Sequence, residues 1–332
     1  MTSVKVIVVP GATGNQGGSV VETFLKEPGW HVRGITRNPS SVKAQALSAR
    51  RVEIVQADMD EPKTLELAFK SATAIFAVSD FWGLYGDPAN KDKPKPGTPL
   101  NVWAAGHEEQ QLKNVIDTAA KVPTLERFIV SSLSNATKCS KGKYSHVYHF
   151  DSKARAVDYG RGKYPDLWKR TSIFQAGFFL SNYVRNPFTQ PQRNPEGVVQ
   201  FIGQLDPDVK MPMIAPEEDT GPVVKALVKE AAGKNVIAYR EWISVRELAQ
   251  TFTEMTGLNS EVIMLSKTEA NLLLPPELKL ELDDNFAYFN EFGYEGRDDP
   301  TVIHPSDLSS PPDLDSVANY LKKQDWSKVL TA

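Results

Sequence analysis

Val4-Lys5-Val6-Ile7-Val8-Val9-Pro10 runs directly into Gly11-Ala12-Thr13-Gly14-Asn15-Gln16-Gly17-Gly18, and this stretch decides the fold. The first run is short, apolar and rich in β-branched residues, which predicts a buried parallel strand. The second is a glycine turn, and beyond it Val20, Val21, Phe24 and Leu25 recur with helical spacing. Strand, glycine turn and helix in that order open a dinucleotide-binding unit. Gly11 permits the tight turn, Gly14 lets the backbone approach a pyrophosphate, and Gly17 lets helix and strand pack closely. The amides and positive dipole end of the helix, around Thr13, Asn15 and Gln16, then face the phosphates. The spacing is G-x-x-G-x-x-G, not the G-x-G-x-x-G usual in Rossmann dehydrogenases.

Outward from this unit, strand and helix alternate. His31–Arg37, Val52–Asp58 and Ala74–Ser79 read as further strands. An amphipathic stretch over Gln110–Ala120 precedes another strand at Arg127–Ser132, and a helix over His149–Tyr159 precedes one at Thr171–Phe174. Strands joined by helical connectors predict an α/β fold with a doubly wound parallel Rossmann sheet, whose ligand lies at the carboxyl ends of the strands. Gly86–Pro99, crowded with glycine, proline and lysine, reads as a long loop beside that edge. From Phe188 the rhythm is less regular. The expected organisation is therefore residues 1–183 as a dinucleotide-binding Rossmann domain and 184–332 as a smaller C-terminal α/β lobe covering the cleft. Asp219-Thr220-Gly221 and the helix after it are expected to fold back on the first lobe. Phe286, Tyr288, Phe289, Phe292 and Tyr294 read as core.

Bulk properties narrow the partners. With 38 Lys and Arg against 41 Asp and Glu, the net charge of −3 gives no electrostatic footprint for nucleic acid or an anionic membrane. The single cysteine, Cys139, makes no internal disulfide, no apolar run is long enough to span a bilayer, and the sequence enters a strand almost at once. The expectation is a soluble cytoplasmic protein. His107, His146 and His304 lack ligand spacing, so no metal site is expected. Without a G-x-S-x-G elbow, an α/β-hydrolase reading has no support either.

The strand ends supply the coenzyme contacts. Arg37 stands about 20 residues past the glycine motif, where an acidic residue grips the ribose of NAD. A guanidinium there favours the 2′-phosphate of NADP through paired, charge-assisted hydrogen bonds, with Lys43 adding charge. Asp58 offers an acceptor to the adenine amino group, or caps a turn, and Met59 packs on the ring. Ala77, Val78 and Ser79 are small enough for close approach of the ribose and nicotinamide half.

Together these residues make the chain resemble an atypical short-chain dehydrogenase/reductase of the NmrA-like family. The resemblance rests on Gly11–Gly17, Thr36-Arg37-Asn38-Pro39, Ala57-Asp58-Met59-Asp60, Val78-Ser79-Asp80-Phe81-Trp82, His149-Phe150-Asp151-Ser152-Lys153 and Gly177-Phe178-Phe179-Leu180-Ser181-Asn182. Asp219-Thr220-Gly221 and Phe292-Gly293-Tyr294 extend it over essentially the whole chain. It is greatest to fungal members, which accompany secondary-metabolite pathways. The resemblance implies NADP(H) as cofactor, with Phe178 among its contacts.

For chemistry, the resemblance places His149 and Lys153 where ordinary short-chain dehydrogenases carry Tyr-x-x-x-Lys. One helical turn apart, both face the cleft. Lys153 is then ribose ligand and general acid, and His149 a proton relay. Tyr148 lies about 100° around the helix from His149. The family's serine falls among Ser131, Ser132 and Ser134, with Ser132 the candidate. Ala176 departs from the family, in which proline is usual before the nicotinamide-side loop. Two functions follow. One is an NADPH-dependent reductase of a small organic carbonyl, imine or activated double bond. The other is a non-catalytic NADP(H) redox sensor that regulates transcription through protein partners. A homodimer is compatible with either.

Overall fold

The computed structural model describes residues 4–271 and 274–330. Lys5–Pro10 forms β1, and its alternation sorts the core. Ile7 and Val9 point to the face where Val20, Val21 and Phe24 of the first helix, Asn15–Phe24, are buried. Val8 points to the other face, against Leu112, Val115 and Ile116. Each such side chain, fully buried, contributes about 1.5–3 kcal/mol. Both faces are covered, which is why the strand is a continuous apolar run and not an alternating one.

Strands β2 (Trp30–Thr36), β3 (Glu53–Gln56), β4 (Ala74–Ala77), β5 (Arg127–Ser132) and β6 (Thr171–Ala176) complete the set read from sequence. Two more come from the second half of the chain, Asn235–Ala238 beside β6 and Val302–Ile303 beyond it. The eight-stranded order is Val302–Ile303, Asn235–Ala238, β6, β5, β4, β1, β2, β3, and every pairing is parallel. Strand order reverses between β1 and β4. Sheets of this kind bind their ligands outside the carboxyl ends of the strands at such a reversal. Two three-stranded sheets lie in the second half, around Lys210–Ile214 and Val199–Gly203, the first also taking in Phe178–Phe179.

The structure corrects several element boundaries. The helix expected from Gln110 begins ten residues earlier and spans Leu100–Ala119. Its buried face includes Asn101, Glu108 and Gln111, so the apolar stripe is interrupted by polar residues and its first half reads as solvated. The helix expected from His149 spans Tyr148–Lys163, and β6 extends to Ala176. Of the expected loop Gly86–Pro99, Gly86 ends the helix Phe81–Gly86, and the rest is irregular except for a 3-10 turn at Pro88–Asn90.

Asp219, Thr220 and Gly221 lie within a helix, Pro216–Lys229, which packs on the first helix. A Cβ on Gly221 would stand 2.1 Å from Thr23 Oγ1 and 2.2 Å from Ser19 O, so only glycine allows this approach. Its amide donates to Ser19 Oγ at 2.9 Å. Asp219 accepts two hydrogen bonds from the fully buried Arg240 guanidinium, at 2.7 and 2.8 Å. Tyr288 and Phe289, on the helix Lys279–Phe292, pack edgewise and obliquely on Phe150 at ring distances of 6.5 and 5.5 Å. That packing sets one face of Lys279–Phe292 against the Tyr148–Lys163 helix. Among the described residues, no helix is long and apolar enough to cross a membrane.

Candidate functional site

The glycine turn has the geometry its sequence predicts. Gly11 has φ +66°, a left-handed conformation, and a Cβ there would also come within 3.3 Å of Val78 Cγ1 at the end of β4. The Gly14 amide donates to Gly11 O at 2.9 Å and closes the turn. A Cβ on Gly17 would lie 2.2 Å from Gly11 O, so helix and turn touch backbone to backbone. No side chain caps the first helix and no acidic residue occupies its first turn. Its leading amides and dipole end therefore stay available to an anion. Thr13 and Gln16 are half-buried and Asn15 exposed. Gln16 Oε1 accepts from Ser131 Oγ at 2.8 Å, which ties the helix start to the end of β5.

Arg37 follows β2, and its exposed side chain has no partner among the described residues. Lys43 is exposed on the helix Val42–Ala49. Asp58 accepts from the Asp60 amide at 3.0 Å, a turn-capping role that occupies one of its oxygens. Met59 is half-buried against the core beneath the edge, and its carbonyl accepts from Asn114 Nδ2 at 2.8 Å. Ala77 is buried at the end of β4, and Phe178 is half-buried, 5.7 Å ring to ring from Tyr183.

A second centre is built around charges. Lys153 Nζ lies 2.8 Å from Glu108 Oε1 and 2.9 Å from Oε2, and donates to the His149 carbonyl at 2.9 Å. Glu108 is fully buried, and also accepts from Ser79 Oγ at 2.8 Å and Ser152 Oγ at 2.5 Å. Ser79, just past the end of β4, thus joins the coenzyme edge to Lys153. One turn earlier, His149 Nδ1 lies 2.7 Å from Oε1 of a second fully buried carboxylate, Glu281. The rings of Trp82 and Phe81 pack against His149 at 5.0 and 5.7 Å. Tyr85 donates to Glu277 Oε1 at 2.9 Å, and burial, reinforced by that carboxylate, pushes its phenol well above the usual range. Burial, then Glu281 and Asp284, push the Tyr148 phenol up.

The structure thus gathers Lys153, His149 and Ser79. Ser132 Oγ donates to Leu133 O at 3.3 Å, and among the described residues no hydrogen bond links it to Lys153 or His149. Ser134 is held between Tyr294 O and the Tyr288 hydroxyl. The hydroxyls that meet the Lys153 centre come from Ser79 and Ser152, because the side chain across from Lys153 is Glu108. Sequence reasoning missed Glu108, Glu281 and Asn101. A glutamate on a helix reads as a solvated face, yet Glu108 is four residues from both Ala104 and Leu112, which are fully buried. Glu281 shares a helical face with Tyr288, seven residues on. Helical spacing from the apolar positions was the available signal. A depression of about 320 Å³ lined by Asp208, Lys210, Trp242, Glu295 and Arg297 shares no residue with either centre.

The profile of the NmrA-like family matches residues 3–321. The chain belongs to the NmrA-like family. Among members, the NmrA-like family domain-containing oxidoreductase malD of Malbranchea aurantiaca is 28% identical over 276 residues, covering 80% of this chain and 76% of malD. A NmrA-like family domain-containing protein of Dictyostelium discoideum is 23% identical, covering 96% of this chain and 97% of its own. Solved structures share the fold. NmrA, a negative transcriptional regulator, in complex with NADP superposes with a TM-score of 0.74 at 18% identity, over 99% of this chain and 97% of NmrA. The NADPH-dependent quinone oxidoreductase of Escherichia coli, complexed with NADPH, gives 0.67 at 22%, over 95% and 98%. The NmrA-like fold of this chain is thus a parallel Rossmann-type sheet with smaller sheets beside it.

Proposed function

We propose that this NmrA-like protein is an NADP(H)-dependent oxidoreductase that reduces a small organic carbonyl, imine or activated double bond, in secondary metabolism. The observation that carries the reading is the position of Lys153. It is held by Glu108, and Glu108 is bonded to Ser79 just past β4, on the edge of the sheet that also presents the uncapped first helix. The glycine turn, Thr13, Asn15 and Gln16 would hold the pyrophosphate, Arg37 the 2′-phosphate, and Ala77 and Phe178 the neighbouring surfaces. The open amides, the missing Cβ at Gly17 and the unpaired guanidinium fit such a group. Bound coenzyme supplies hydride chemistry. The protein's share is orientation and proton delivery, by Lys153 and His149. In support, several curated relatives are named oxidoreductases and the quinone oxidoreductase neighbour is NADPH-dependent.

One observation favours the second reading, a coenzyme-binding sensor acting through protein partners. The Lys153 ammonium already has three acceptors of the protein within 2.9 Å. NADPH consumption in the presence of aldehydes, ketones, imines, enones and quinones separates the two. The reductase reading expects turnover of at least one class and a loss of about 100-fold in Lys153→Ala. Tight NADPH binding with no turnover of any class would leave the sensor.

A further inference from the structure

His149 spends only one of its ring nitrogens on the protein. Nδ1 lies 2.7 Å from Glu281 Oε1, while Nε2 has no hydrogen-bond partner among the described residues and is not sealed from solvent. The side chain keeps 11% of its surface exposed. Glu281, by contrast, is fully buried and both of its oxygens are engaged. Oε1 accepts from the His149 ring and from the His149 backbone amide at 3.2 Å, and Oε2 accepts from Asn101 Nδ2 at 2.9 Å. Asn101 Nδ2 also donates to Glu277 O at 2.8 Å, which fixes the amide and stops the carboxylate from turning away. An ionised carboxylate only accepts hydrogen bonds. With both oxygens of Glu281 already accepting from N–H donors, the geometry favours hydrogen on Nδ1 as well; a ring protonated there alone carries its lone pair on Nε2. Trp82 and Phe81 restrain the ring from the side.

We propose that Glu281 is a positioning residue that keeps a hydrogen on Nδ1 of His149 in both protonation states, so that Nε2 of the imidazolium delivers the proton of the reaction and is left with the lone pair. The proposal rests on the reductase reading above. In the reduction of a C=O or C=N group, the carbon gains hydride from the reduced nicotinamide coenzyme, which becomes oxidised. The π pair moves onto oxygen or nitrogen. That atom takes the proton from Nε2 of the imidazolium, and water restores the proton in the next cycle. Loss of the Nε2 proton leaves the Nδ1–H tautomer, which Glu281 already holds, so no ring rotation or second proton shift is needed. A buried carboxylate on the far nitrogen of a catalytic imidazole works by the same logic elsewhere. Here it comes from the helix Lys279–Phe292, so the second half of the chain contributes a residue to the proton path without touching substrate.

The test begins with full-length protein labelled with ¹⁵N-histidine, in the absence of coenzyme. Long-range ¹H–¹⁵N spectra distinguish protonated from lone-pair ring nitrogens, and loss of one of the five histidine signals in His149→Gln assigns the residue. The wild type should show hydrogen on Nδ1 of His149, and Glu281→Gln should move population to Nε2–H. A wild type with hydrogen chiefly on Nε2, or a tautomer unchanged in Glu281→Gln, overturns the proposal. The wild-type spectrum decides even if the variant does not fold. With NADPH and 4-nitrobenzaldehyde, Glu281→Gln should lose about 100-fold in kcat with KM for the aldehyde little changed. Unchanged kcat in a folded variant also overturns it. A wild type that binds NADPH but reduces no probe overturns the reductase reading and the proton-delivery step with it, while the tautomer result still stands or falls by itself.

Discussion

The glycine turn and the Lys153 centre stand on the same edge of the sheet but are built in opposite ways. At the turn, the protein leaves its donors open. The first helix is uncapped and the Arg37 side chain has no partner among the described residues, so the groups that would hold a dinucleotide wait on the ligand. At the Lys153 centre every charge has a counterpart of the protein's own: Lys153 has Glu108, and His149 has Glu281. The difference follows from burial. Exposed amides and guanidinium groups are satisfied by water until a ligand arrives, whereas buried charges must be paired in the folded chain itself. A ligand-facing surface can therefore be removed at little cost to stability, and a buried pair cannot.

The comparison is most directly broken at Glu108. Replacing it with alanine leaves the Lys153 ammonium beside two unmatched hydroxyls, and stability to denaturant should fall by about 3–5 kcal/mol. If Glu108→Ala unfolds at the wild-type midpoint, the two regions are not built differently after all. At Arg37 the expectation is reversed. Arg37→Ala should keep its unfolding midpoint and lose about tenfold in NADPH affinity, about 1.4 kcal/mol, with NADH affinity unchanged. Calorimetric titration with both coenzymes checks this. Equal losses for NADPH and NADH would remove the guanidinium from the 2′-phosphate.

The smallest effect lies at the far end of the first helix. Hydrogen bonds from Lys229 and then Lys225 hold the Glu27 carboxyl below its ordinary value of 4.5 and pin this helix to Pro216–Lys229. Because the folded-state value is the lower one, the stabilisation is complete above pH 4.5 and disappears as pH falls through the folded value. Glu27→Gln should therefore be less stable by about 0.5 kcal/mol at neutral pH. The gap to wild type should close as pH falls below 4.5 and through the lower folded value. A gap that persists into acid would show that the effect is not electrostatic. Coenzyme affinity should not move, since the open amides are at the other end of the helix.

Legibility in the sequence divides along the same line. β1, its turn and its helix were readable because each step is local: an apolar run, a glycine wherever a Cβ would meet Gly11 O, a helical stripe of Val20, Val21 and Phe24. Lys153 and His149 were singled out through the resemblance, which sets them where the family's relatives carry Tyr-x-x-x-Lys. Glu108 went unread as the partner of Lys153, and Leu100–Ala119 was read as beginning too late, for one shared reason. Glu108 is a buried carboxylate in a helix, and polar residues on a buried face erase the periodicity that reveals the helix.

By itself the sequence determined the order of strands and helices through β6 and the glycine turn that opens it. Those properties depend on φ, on Cβ volume and on periodicity within a few residues. Tertiary structure alone decided that Asn235–Ala238 and Val302–Ile303 join the sheet, and that carboxylates from residues 108 and 281 meet Lys153 and His149. Partners separated by 45 and 132 positions along the chain leave no local pattern. They are chosen when packing removes water from charges that must then find each other.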